Sequence, residues 1–434
     1  MSADVVICGA GIAGAAAAYH LAVRQGVSRV VIVDEREPLT LTSNKGTQGY
    51  RNWWPGPDDT MLRMVSRSID LAEESARLND NVFRLNRRGY LFATASTTEL
   101  AALEATAHRV STFGMGPVRR HPGPQAYAPH PAEGFAGQPI GADLLLGDDA
   151  HRAFPFLAPE MIGALHVRRA GTMNSVALGT WMLAQAAATG ATFVRDRVRA
   201  VDSTGGRVRA VHLASGEVVE TERFVIAAGP ALHEVGRLLG LELPVVHELH
   251  AKTCIRDIHG VVPRHAPFVI WNDPLTIDGR TLPGGVHLRP VDLVHGDELY
   301  LIWTYDTTTQ PYRWPPVMDP DYGPTVVHGC ARMVPALAPY VSEALAGAVT
   351  DGGYYCKTPE NRPLVGPLPI TGAYVIGALS GIGLMSAHAC GELLSLHVTE
   401  RALPDYAKWF LLSRYDDPAY RQLVTQWGAL VGQL

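Results

Sequence analysis

The chain has 434 residues and a formal net charge of -5, and 47% of its residues are hydrophobic against 18% charged. Two or three domains are expected at this length, and this composition excludes an intrinsically disordered chain. Because the charge is slightly acidic and no basic stripe is present, nucleic acid is excluded as an expected partner.

The five cysteines and 17 histidines show no spacing typical of a disulfide framework or of a metal site. We therefore expect no metal and a reducing compartment, the cytoplasm. The nearly uncharged segment 5–23 is about as long as a membrane span. Three glycines and His20 interrupt it, so a strand, a turn and a helix are the better interpretation, and no membrane span is expected.

The first predicted elements form a βαβ unit. Val5–Cys8 is a short apolar run, typical of a strand buried on both faces, and good helix formers follow over 15–23. A second apolar run over 30–33 predicts another buried strand, which ends on Asp34 and Glu35.

The next part of the chain alternates between helical and extended patterns. Helices are predicted over 58–78 and 176–188. Strand-like runs separated by glycine turns follow over 192–201, 207–213 and 217–225.

The segment 116–141 is rich in proline, glycine and histidine, which predicts an irregular insertion. From 245 to 305 the pattern is mostly extended and broken by proline and glycine, which predicts an antiparallel sheet in a second domain. The chain then returns to α/β character, with a strand over 373–376, a loop over 377–383 and a helix over 386–397.

The turn between the first strand and helix has the spacing Gly9-x-Gly11-x-x-Gly14. The first glycine permits a tight turn, the second lets a pyrophosphate approach the backbone, and the third allows close packing of helix and strand. The amino end of the helix offers N–H groups to the phosphates. Asp34 can hold a ribose diol, and its charge disfavours NADP, while Glu35 is the neighbouring candidate.

The glycine spacing alone does not distinguish FAD from NAD. Two distant segments favour the larger cofactor. One is an apolar strand over 224–229 that ends in Ala-Ala-Gly, and the other is the glycine-rich loop 377–383 that opens a helix. An extended cofactor that passes several distant segments accounts for both.

Several motifs in this order resemble those of the D-amino acid oxidase superfamily, in the branch of sarcosine oxidase, glycine oxidase and dimethylglycine-dehydrogenase-like proteins. The matching motifs are 9–14 with Asp34, 43–51, 227–229, 357–366 and 380–383. The last two are together much more specific than the glycine turn.

The resemblance implies an α/β (α+β overall) fold. A Rossmann-like FAD-binding domain, discontinuous in sequence, is expected at 1–90, 151–242 and 349–434. A substrate domain built on a large mixed or antiparallel sheet is expected at 91–150 and 243–348.

The resemblance also implies which residues contact FAD. The predicted cofactor-binding residues are Gly9, Gly11, Ile12, Ala13, Gly14, Asp34, Glu35, Ser43, Lys45, Gly46, Val198, Ala228, Gly229, Gly381, Ile382, Gly383, Leu384 and Met385. Sarcosine oxidases attach FAD to a cysteine at the position of Gly353, and Cys356 is displaced from it, so non-covalent FAD is expected. Their lysine for the substrate carboxylate corresponds to Met385.

Arg51, His250 and Lys252 are the predicted catalytic residues. Arg51 ends the loop that approaches the flavin in relatives, where a guanidinium can hold a carboxylate or polarise the flavin; a surface salt bridge is the alternative. His250 and Lys252 share one face of an extended run, which faces either the substrate cavity or solvent. Aromatic side chains that could form cavity walls, although aromatics are more often core, are Trp53, Trp54, Trp303, Tyr305, Tyr354 and Tyr355.

These features predict an FAD-dependent enzyme that oxidises the C–N bond of a small-molecule amino acid or secondary or tertiary amine by hydride transfer to flavin N5. The electron acceptor is then O2 or a carrier. Two alternatives stay open. One is an FAD-dependent dehydrogenase of a hydroxy acid or polyol phosphate, and the other is a flavin-binding electron-transfer subunit of a larger assembly.

Overall fold

The computed structural model describes residues 1–121, 127, 129, 134–291, 296–343, 347–425 and 427. The strands of these residues are β1 Val5–Cys8, β2 Val30–Asp34, β3 Gly49–Arg51, β4 Tyr90–Thr94, β5 Val118–His121, β6 Ala142–Leu146, β7 Gly163–Val167, β8 Ala170–Thr172, β9 Thr192–Arg195, β10 Val198–Asp202, β11 Ala210–Leu213, β12 Val218–Glu220, β13 Phe224–Ile226, β14 Val246–Arg256, β15 Phe268–Trp271, β16 Leu275–Ile277, β17 Arg280–Leu282, β18 Val286–Pro290, β19 Glu298–Ile302, β20 Val349–Lys357, β21 Leu364–Pro367 and β22 Ala373–Gly377.

The α-helices of the described residues are α1 Ile12–Tyr19, α2 Thr60–Leu78, α3 Thr97–Val110, α4 Asp148–Ala153, α5 Ser175–Ala188, α6 Leu232–Arg237, α7 Tyr322–Met333, α8 Tyr340–Glu343, α9 Gly383–Val398 and α10 Pro418–Thr425. A π-helical turn, His20–Arg24, continues α1, and a 3-10 turn, Ser380–Ile382, precedes α9.

The first large sheet has six strands in the order β21–β22–β13–β1–β2–β9. Its strands run parallel except for the antiparallel edge strand β21, as expected for apolar runs buried on both faces. Helix α1 packs against α5 and α9. A Cβ at Gly391 would lie 2.9 Å from Ala16 Cβ, so small residues let α9 cross α1 closely. The predicted βαβ unit and Rossmann-like sheet are confirmed.

The second large sheet has nine strands in the order β20–β14–β19–β18–β15–β4–β7–β6–β5. The pairs β4–β15 and β5–β6 are parallel, and the other neighbours are antiparallel. Helix α7 packs on this sheet through Val326, Cys330 and Met333. The predicted large mixed sheet is confirmed.

The prediction of single strands over 192–201 and 217–225 is wrong, because each run divides between two sheets. β9 extends the six-stranded sheet beside β2, and a turn at Asp196 then leads β10 into a three-stranded sheet with β11 and β12. In the second run, β12 stays in that small sheet while β13 joins β1. A pattern of alternating residues does not specify which strand each half pairs with.

The predicted domain boundaries stay a prediction, and strand pairing crosses them. Both β7 and β20 fall in segments expected for the FAD-binding domain, yet both pair within the nine-stranded sheet. Of the predicted insertion 116–141, residues 122–126, 128 and 130–133 lie outside the described residues.

Helices and groups of possible metal ligands in the described residues bear on the expected membrane and metal properties. No helix among them combines the length and apolar character needed to cross a bilayer. In the same residues, no three histidine, cysteine or acidic side chains come together as metal ligands.

Candidate active site

The glycine turn between β1 and α1 is fixed by close contacts. Gly9 has a φ of +113°, and a Cβ there would lie 2.4 Å from the carbonyl oxygen of Ala227. A Cβ at Gly14 would lie 1.9 Å from Gly9 O, so the helix can start this close to the strand only with glycine there. Helix α1 has Gly11 as its N-cap and no acidic residue in its first turn, so its amino end favours an anion.

Asp34 lines a cleft of about 440 Å³ together with Gly9 and Gly11. Its carboxylate accepts hydrogen bonds from the backbone N–H groups of Ala10 at 2.7 Å and Arg36 at 2.9 Å. Burial raises the pKa of Asp34, and these two hydrogen bonds oppose the rise. The carboxylate is therefore fixed in orientation while lone pairs remain for a ribose diol.

A second loop lies at the carboxyl end of β22. Ala378 and Ser380 adopt positive φ angles of 52° and 49°, and α9 begins at Gly383. Residues other than glycine rarely adopt this conformation, and such strain concentrates at functional sites. Like α1, α9 has no acidic residue in its first turn and no side-chain cap, so its amino end also favours negative charge.

A long cleft with an empty volume of about 770 Å³ is lined by residues of both loops. It adjoins the Asp34 cleft, because Thr42, Ser43, Gly229 and Pro230 line both. The predicted cofactor-binding residues along the two clefts are Gly9, Gly11, Ile12, Ala13, Asp34, Ser43, Gly46, Ala228, Gly229, Gly381, Gly383 and Leu384.

The remaining predicted cofactor-binding residues lie elsewhere. Within the described part of the chain, those that line neither cleft are Gly14, Glu35, Lys45, Val198, Ile382 and Met385. Glu35 is exposed, and Lys45 forms an ion pair with Asp351 at 2.7 Å. Val198 is buried in the three-stranded sheet, so any contact it makes with a cofactor is through its backbone.

A chamber of about 460 Å³ adjoins the long cleft through Thr47, Tyr355 and Gly381, which line both. This inner chamber is lined chiefly by Arg51, Tyr90, His250, Phe268, His287 and Thr304. Aromatic walls around a few polar groups are typical of small-molecule sites.

Arg51 brings a buried positive charge to the inner chamber, since its side chain is 7% exposed. Its guanidinium lies 5.5 Å from the ring centre of Tyr90, and its Nη1 lies 4.0 Å from the sulfur of Met385. Burial lowers the pKa of Arg51, and Tyr90 partly restores it. Because it is buried, the alternative of a surface salt bridge does not hold, and its attraction for a carboxylate is stronger than in water.

The His250 ring is held from three sides. Its Nε2 lies 3.0 Å from Glu248 Oε2, and its Nδ1 lies 3.3 Å from Thr304 Oγ1. The ring stacks on Tyr355 with centres 3.9 Å apart. Burial lowers the pKa of His250, and Glu248 only partly offsets this, so the imidazole is neutral at pH 7. The solvated sheet face considered as an alternative does not hold.

Lys252 is also buried, and its ammonium contacts the loop 43–51. The Nζ atom donates a hydrogen bond to the carbonyl of Lys45 at 2.8 Å and lies 5.2 Å from the ring centre of Tyr300. Burial lowers the pKa of Lys252 to about 8. Lys252 is not among the described residues that line the inner chamber. Its contacts support the loop that carries Arg51.

Three aromatic wall residues of the inner chamber, Tyr90, Phe268 and His287, were not predicted. Phe268 pairs with Tyr90 across β15 and β4, and the two rings stack with centres 4.3 Å apart. His287 on β18 lies 5.1 Å from the Phe268 ring centre. These strands are far apart in sequence, so no local pattern signals that their side chains meet.

The predicted aromatic walls divide into cleft and core residues. Tyr354 and Tyr355 line the long cleft, whereas Trp53 and Trp54 are buried in the hydrophobic core. The Tyr354 side chain is 2% exposed, and its hydroxyl has no hydrogen-bond partner in the part of the chain described. Leaving a buried hydroxyl unpaired is costly, so it fits a polar ligand in this cleft. With Asp34 and the two helix amino ends, the residues present fit the expected FAD.

Comparisons with known proteins agree with this geometry. The DAO family model, described as FAD dependent oxidoreductase, matches residues 4–396. The mitochondrial sarcosine dehydrogenases of Mus musculus and Homo sapiens are both 26% identical to this chain, over 410 and 412 residues. These matches cover 91% of this chain and 39% of each relative, so the chain spans well under half the length of the curated relatives it matches.

Solved structures share the fold. L-proline dehydrogenase from P. horikoshii has a TM-score of 0.75 at 19% identity, covering 96% of this chain and 98% of that chain. Glycine oxidase from Geobacillus kaustophilus has a TM-score of 0.73 at 18% identity, covering 95% and 99%. At these identities the likeness concerns the fold alone. The match to the family model, however, extends over most of the sequence, and the chain therefore belongs to the DAO family of FAD-dependent oxidoreductases.

Proposed function

We propose that this enzyme oxidises the C–N bond of an amino acid or of a secondary or tertiary amine, with the hydride delivered to N5 of FAD. The observation that carries the proposal is the inner chamber, which combines the buried guanidinium of Arg51 with the buried imidazole of His250 beside the cofactor cleft. The names of the matched relatives, sarcosine dehydrogenase, glycine oxidase and L-proline dehydrogenase, refer to amino acids, which supports the proposal.

The protein residues have two tasks in this reaction. Bound FAD supplies the hydride acceptor. Arg51 holds the substrate carboxylate by charge-assisted hydrogen bonds in a site shielded from water. An ammonium nitrogen has no lone pair to stabilise the carbon that loses hydride, so the amine must first lose a proton. His250 is neutral at pH 7 and accepts that proton, and Glu248, 3.0 Å from its Nε2, stabilises the resulting imidazolium.

We also propose how the clefts hold FAD. The amino end of α1 receives the pyrophosphate, Asp34 holds the adenosine ribose, and the amino end of α9 faces the carbonyl end of the flavin ring. The absence of acidic residues from the first turns of both helices supports this assignment.

The FAD is expected to be non-covalent. Gly353, at the position of the linking cysteine in sarcosine oxidases, offers no nucleophile, and a Cβ there would lie 3.2 Å from Lys45 Cβ. Burial raises the pKa of Cys356 to about 12, so its thiol is not an effective nucleophile at neutral pH. Precipitation of the yellow protein with trichloroacetic acid should release all flavin into the supernatant. Flavin fluorescence that stays with the denatured polypeptide would contradict this prediction.

The hydroxyl of Tyr354 is expected to bond the cofactor. Tyr354→Phe keeps the ring and should weaken FAD binding about 5- to 10-fold, the value of roughly one neutral hydrogen bond. Without FAD, the variant should be at least as stable as the parent protein, because an unpaired buried hydroxyl is lost. Fluorescence titration of FAD and thermal unfolding with and without FAD measure both effects.

The half-buried neighbour Tyr312 supplies a matched control, since Tyr312→Phe removes a hydroxyl at the edge of the same aromatic group. That variant should change neither FAD affinity nor stability appreciably. If Tyr354→Phe binds FAD as tightly as the parent, the hydroxyl has no role in cofactor binding.

Anaerobic flavin reduction tests the proposed reaction directly. The holoenzyme is mixed with D- and L-amino acids, N-methyl amino acids, simple amines and hydroxy acids, and absorbance near the flavin maximum is followed. Bleaching by amines or amino acids but not by hydroxy acids is expected. Bleaching by hydroxy acids alone, or by no compound in the panel, would overturn the proposal. Admission of air then shows which electron acceptor the enzyme uses. Rapid return of the flavin colour indicates oxygen, and slow return indicates a carrier.

A further inference from the structure

A second chamber, with an empty volume of about 630 Å³, lies on the other side of His250 and Thr304, which line both this outer chamber and the inner one. The outer chamber is walled by β14, by the segment after β19, and by the start of α7 with the segment before it. None of the roles proposed above for FAD or for the substrate carboxylate uses it.

The outer chamber is negatively charged. Asp306 and Asp319 line it, and no lysine or arginine does so among the residues described. Both carboxylates are exposed to solvent, and within those residues neither has an ion-pair partner. Asp306 accepts hydrogen bonds from the Thr308 side chain and from the Thr308 backbone N–H at 2.9 Å, and Asp319 accepts one from the backbone N–H of Asp321 at 2.9 Å. His250 is neutral at pH 7 and does not offset the two negative charges.

Three aromatic residues also line the outer chamber. Trp303 and Tyr305 meet edge to face with centres 5.8 Å apart, and Tyr305 stacks with Tyr322 at the same separation. The indole N–H of Trp303 is bonded to Pro283 O at 2.9 Å, and the hydroxyl of Tyr322 to Ala251 O at 2.5 Å. Both side chains are buried, so Tyr305, which is half-buried, presents the most accessible ring of the three.

We propose that the outer chamber binds an organic ammonium ion. Aromatic rings and carboxylates both attract a positive charge, and the rings favour a cation that carries alkyl groups over a hydrated inorganic one. A metal ion is a poor alternative, since the described residues contain no group of three or more metal-ligating side chains. The identity of the physiological ligand rests on the proposed function, in which the substrate amine arrives protonated and meets His250 between the two chambers.

Anaerobic calorimetry on the holoenzyme tests the site with a matched pair of probes, choline chloride and its uncharged carbon isostere 3,3-dimethylbutan-1-ol. Choline should bind with a stoichiometry of one per chain and about 10-fold more tightly than the isostere. The double variant Asp306→Asn with Asp319→Asn should bind choline about 10-fold more weakly than the parent. Tyr305→Leu should also weaken choline binding. Sodium chloride at the same concentration corrects for ionic strength.

Asp321→Asn is the matched control, because this carboxylate is two residues from Asp319 and equally exposed, but is not part of the chamber wall. It should leave choline affinity unchanged. Equal binding of choline and the isostere, or equal loss in Asp321→Asn and in the double variant, would overturn the proposal. Binding is measured without turnover, so a holoenzyme that binds choline but is not reduced by any amine would refute the proposed function and leave the outer chamber as a cation site.

Discussion

Arg51→Ala is expected to raise the amino-acid concentration needed for half-maximal anaerobic flavin reduction about 100-fold. The guanidinium is buried beside Tyr90 and Met385. Water therefore screens its attraction for a bound carboxylate only weakly. Loss of a desolvated charged partner in such a pair costs about 2–5 kcal/mol, and 100-fold corresponds to about 2.7 kcal/mol. Stopped-flow reduction over a range of substrate concentrations measures the effect.

Two variants separate the role of Arg51 from a general loss of charge or fold. Arg51→Lys keeps the charge but not the planar donor pair, and should recover only part of the affinity. Arg63→Ala removes an exposed arginine that pairs with Asp405 and should change reduction by less than twofold. If Arg51→Ala reduces its flavin at the same substrate concentration as the parent, Arg51 does not bind the substrate. Loss of FAD from the variant would instead assign the residue to cofactor binding.

Arg414→Ala is expected to lower the free energy of unfolding by about 3–5 kcal/mol, because it leaves the buried carboxylate of Glu360 without its cation. The guanidinium is fully buried and bonds Glu360 Oε1 at 2.7 Å. It also bonds the carbonyls of Arg362 and Pro363 at 2.9 and 2.7 Å. One side chain thus ties the C-terminal part of the chain to the 357–366 motif. Urea unfolding of the FAD-bound protein measures the loss.

Removing both charges of the Arg414–Glu360 pair should lower the free energy of unfolding less than removing Arg414 alone. The double variant Arg414→Met with Glu360→Leu leaves no unpaired charge in the core and should recover part of the stability lost in Arg414→Ala. A double variant less stable than Arg414→Ala would mean that the hydroxyls of Tyr415 and Tyr420, which also donate to Glu360, depend on the carboxylate more than Arg414 does.

The same carboxylate gives a pH dependence with a definite sign. Burial by itself would raise the pKa of Glu360, but Arg414 and Tyr420 lower it below its ordinary value of 4.5. A carboxyl whose pKa is lower in the folded state stabilises that state fully above about pH 4.5, and the contribution is lost as the pH falls through the lower folded value. Glu360→Gln should therefore have a lower free energy of unfolding than the parent at pH 7. The difference between the two proteins should shrink in strongly acidic buffer.

Most of the residues that the sequence predicted to bind the cofactor line one of the two clefts. These residues belong to local motifs, whose backbone conformation depends mainly on their own residue types. The motifs are the glycine turn with Asp34, the 43–51 loop and the loop before α9. Gly14 illustrates the reason, because its closest contacts are with Gly9 in the same turn, whereas the close contacts of Gly9 are with Ala227 and Ala228 just after β13. Glu35 and Lys45 line neither cleft, because a neighbouring position in sequence does not specify the direction of a long charged side chain.

The substrate side depended on pairings that no local pattern records. His250 and Lys252 do lie on the buried face of one strand, as the alternating pattern indicated. Only the tertiary structure shows that His250 lines the inner chamber, whereas Lys252 bonds the carbonyl of Lys45. Tyr90 and Phe268 became neighbours through a parallel pair joined by a long connection.

What the sequence by itself determined is therefore the dinucleotide fold and the residue types at its turns, because backbone geometry there allows few alternatives. What only the tertiary structure decided is the order of the cavities, from the Asp34 cleft through the inner chamber to the outer one. That order depends on which distant strands pair in the nine-stranded sheet, and strand pairing is a property of the whole core rather than of any segment.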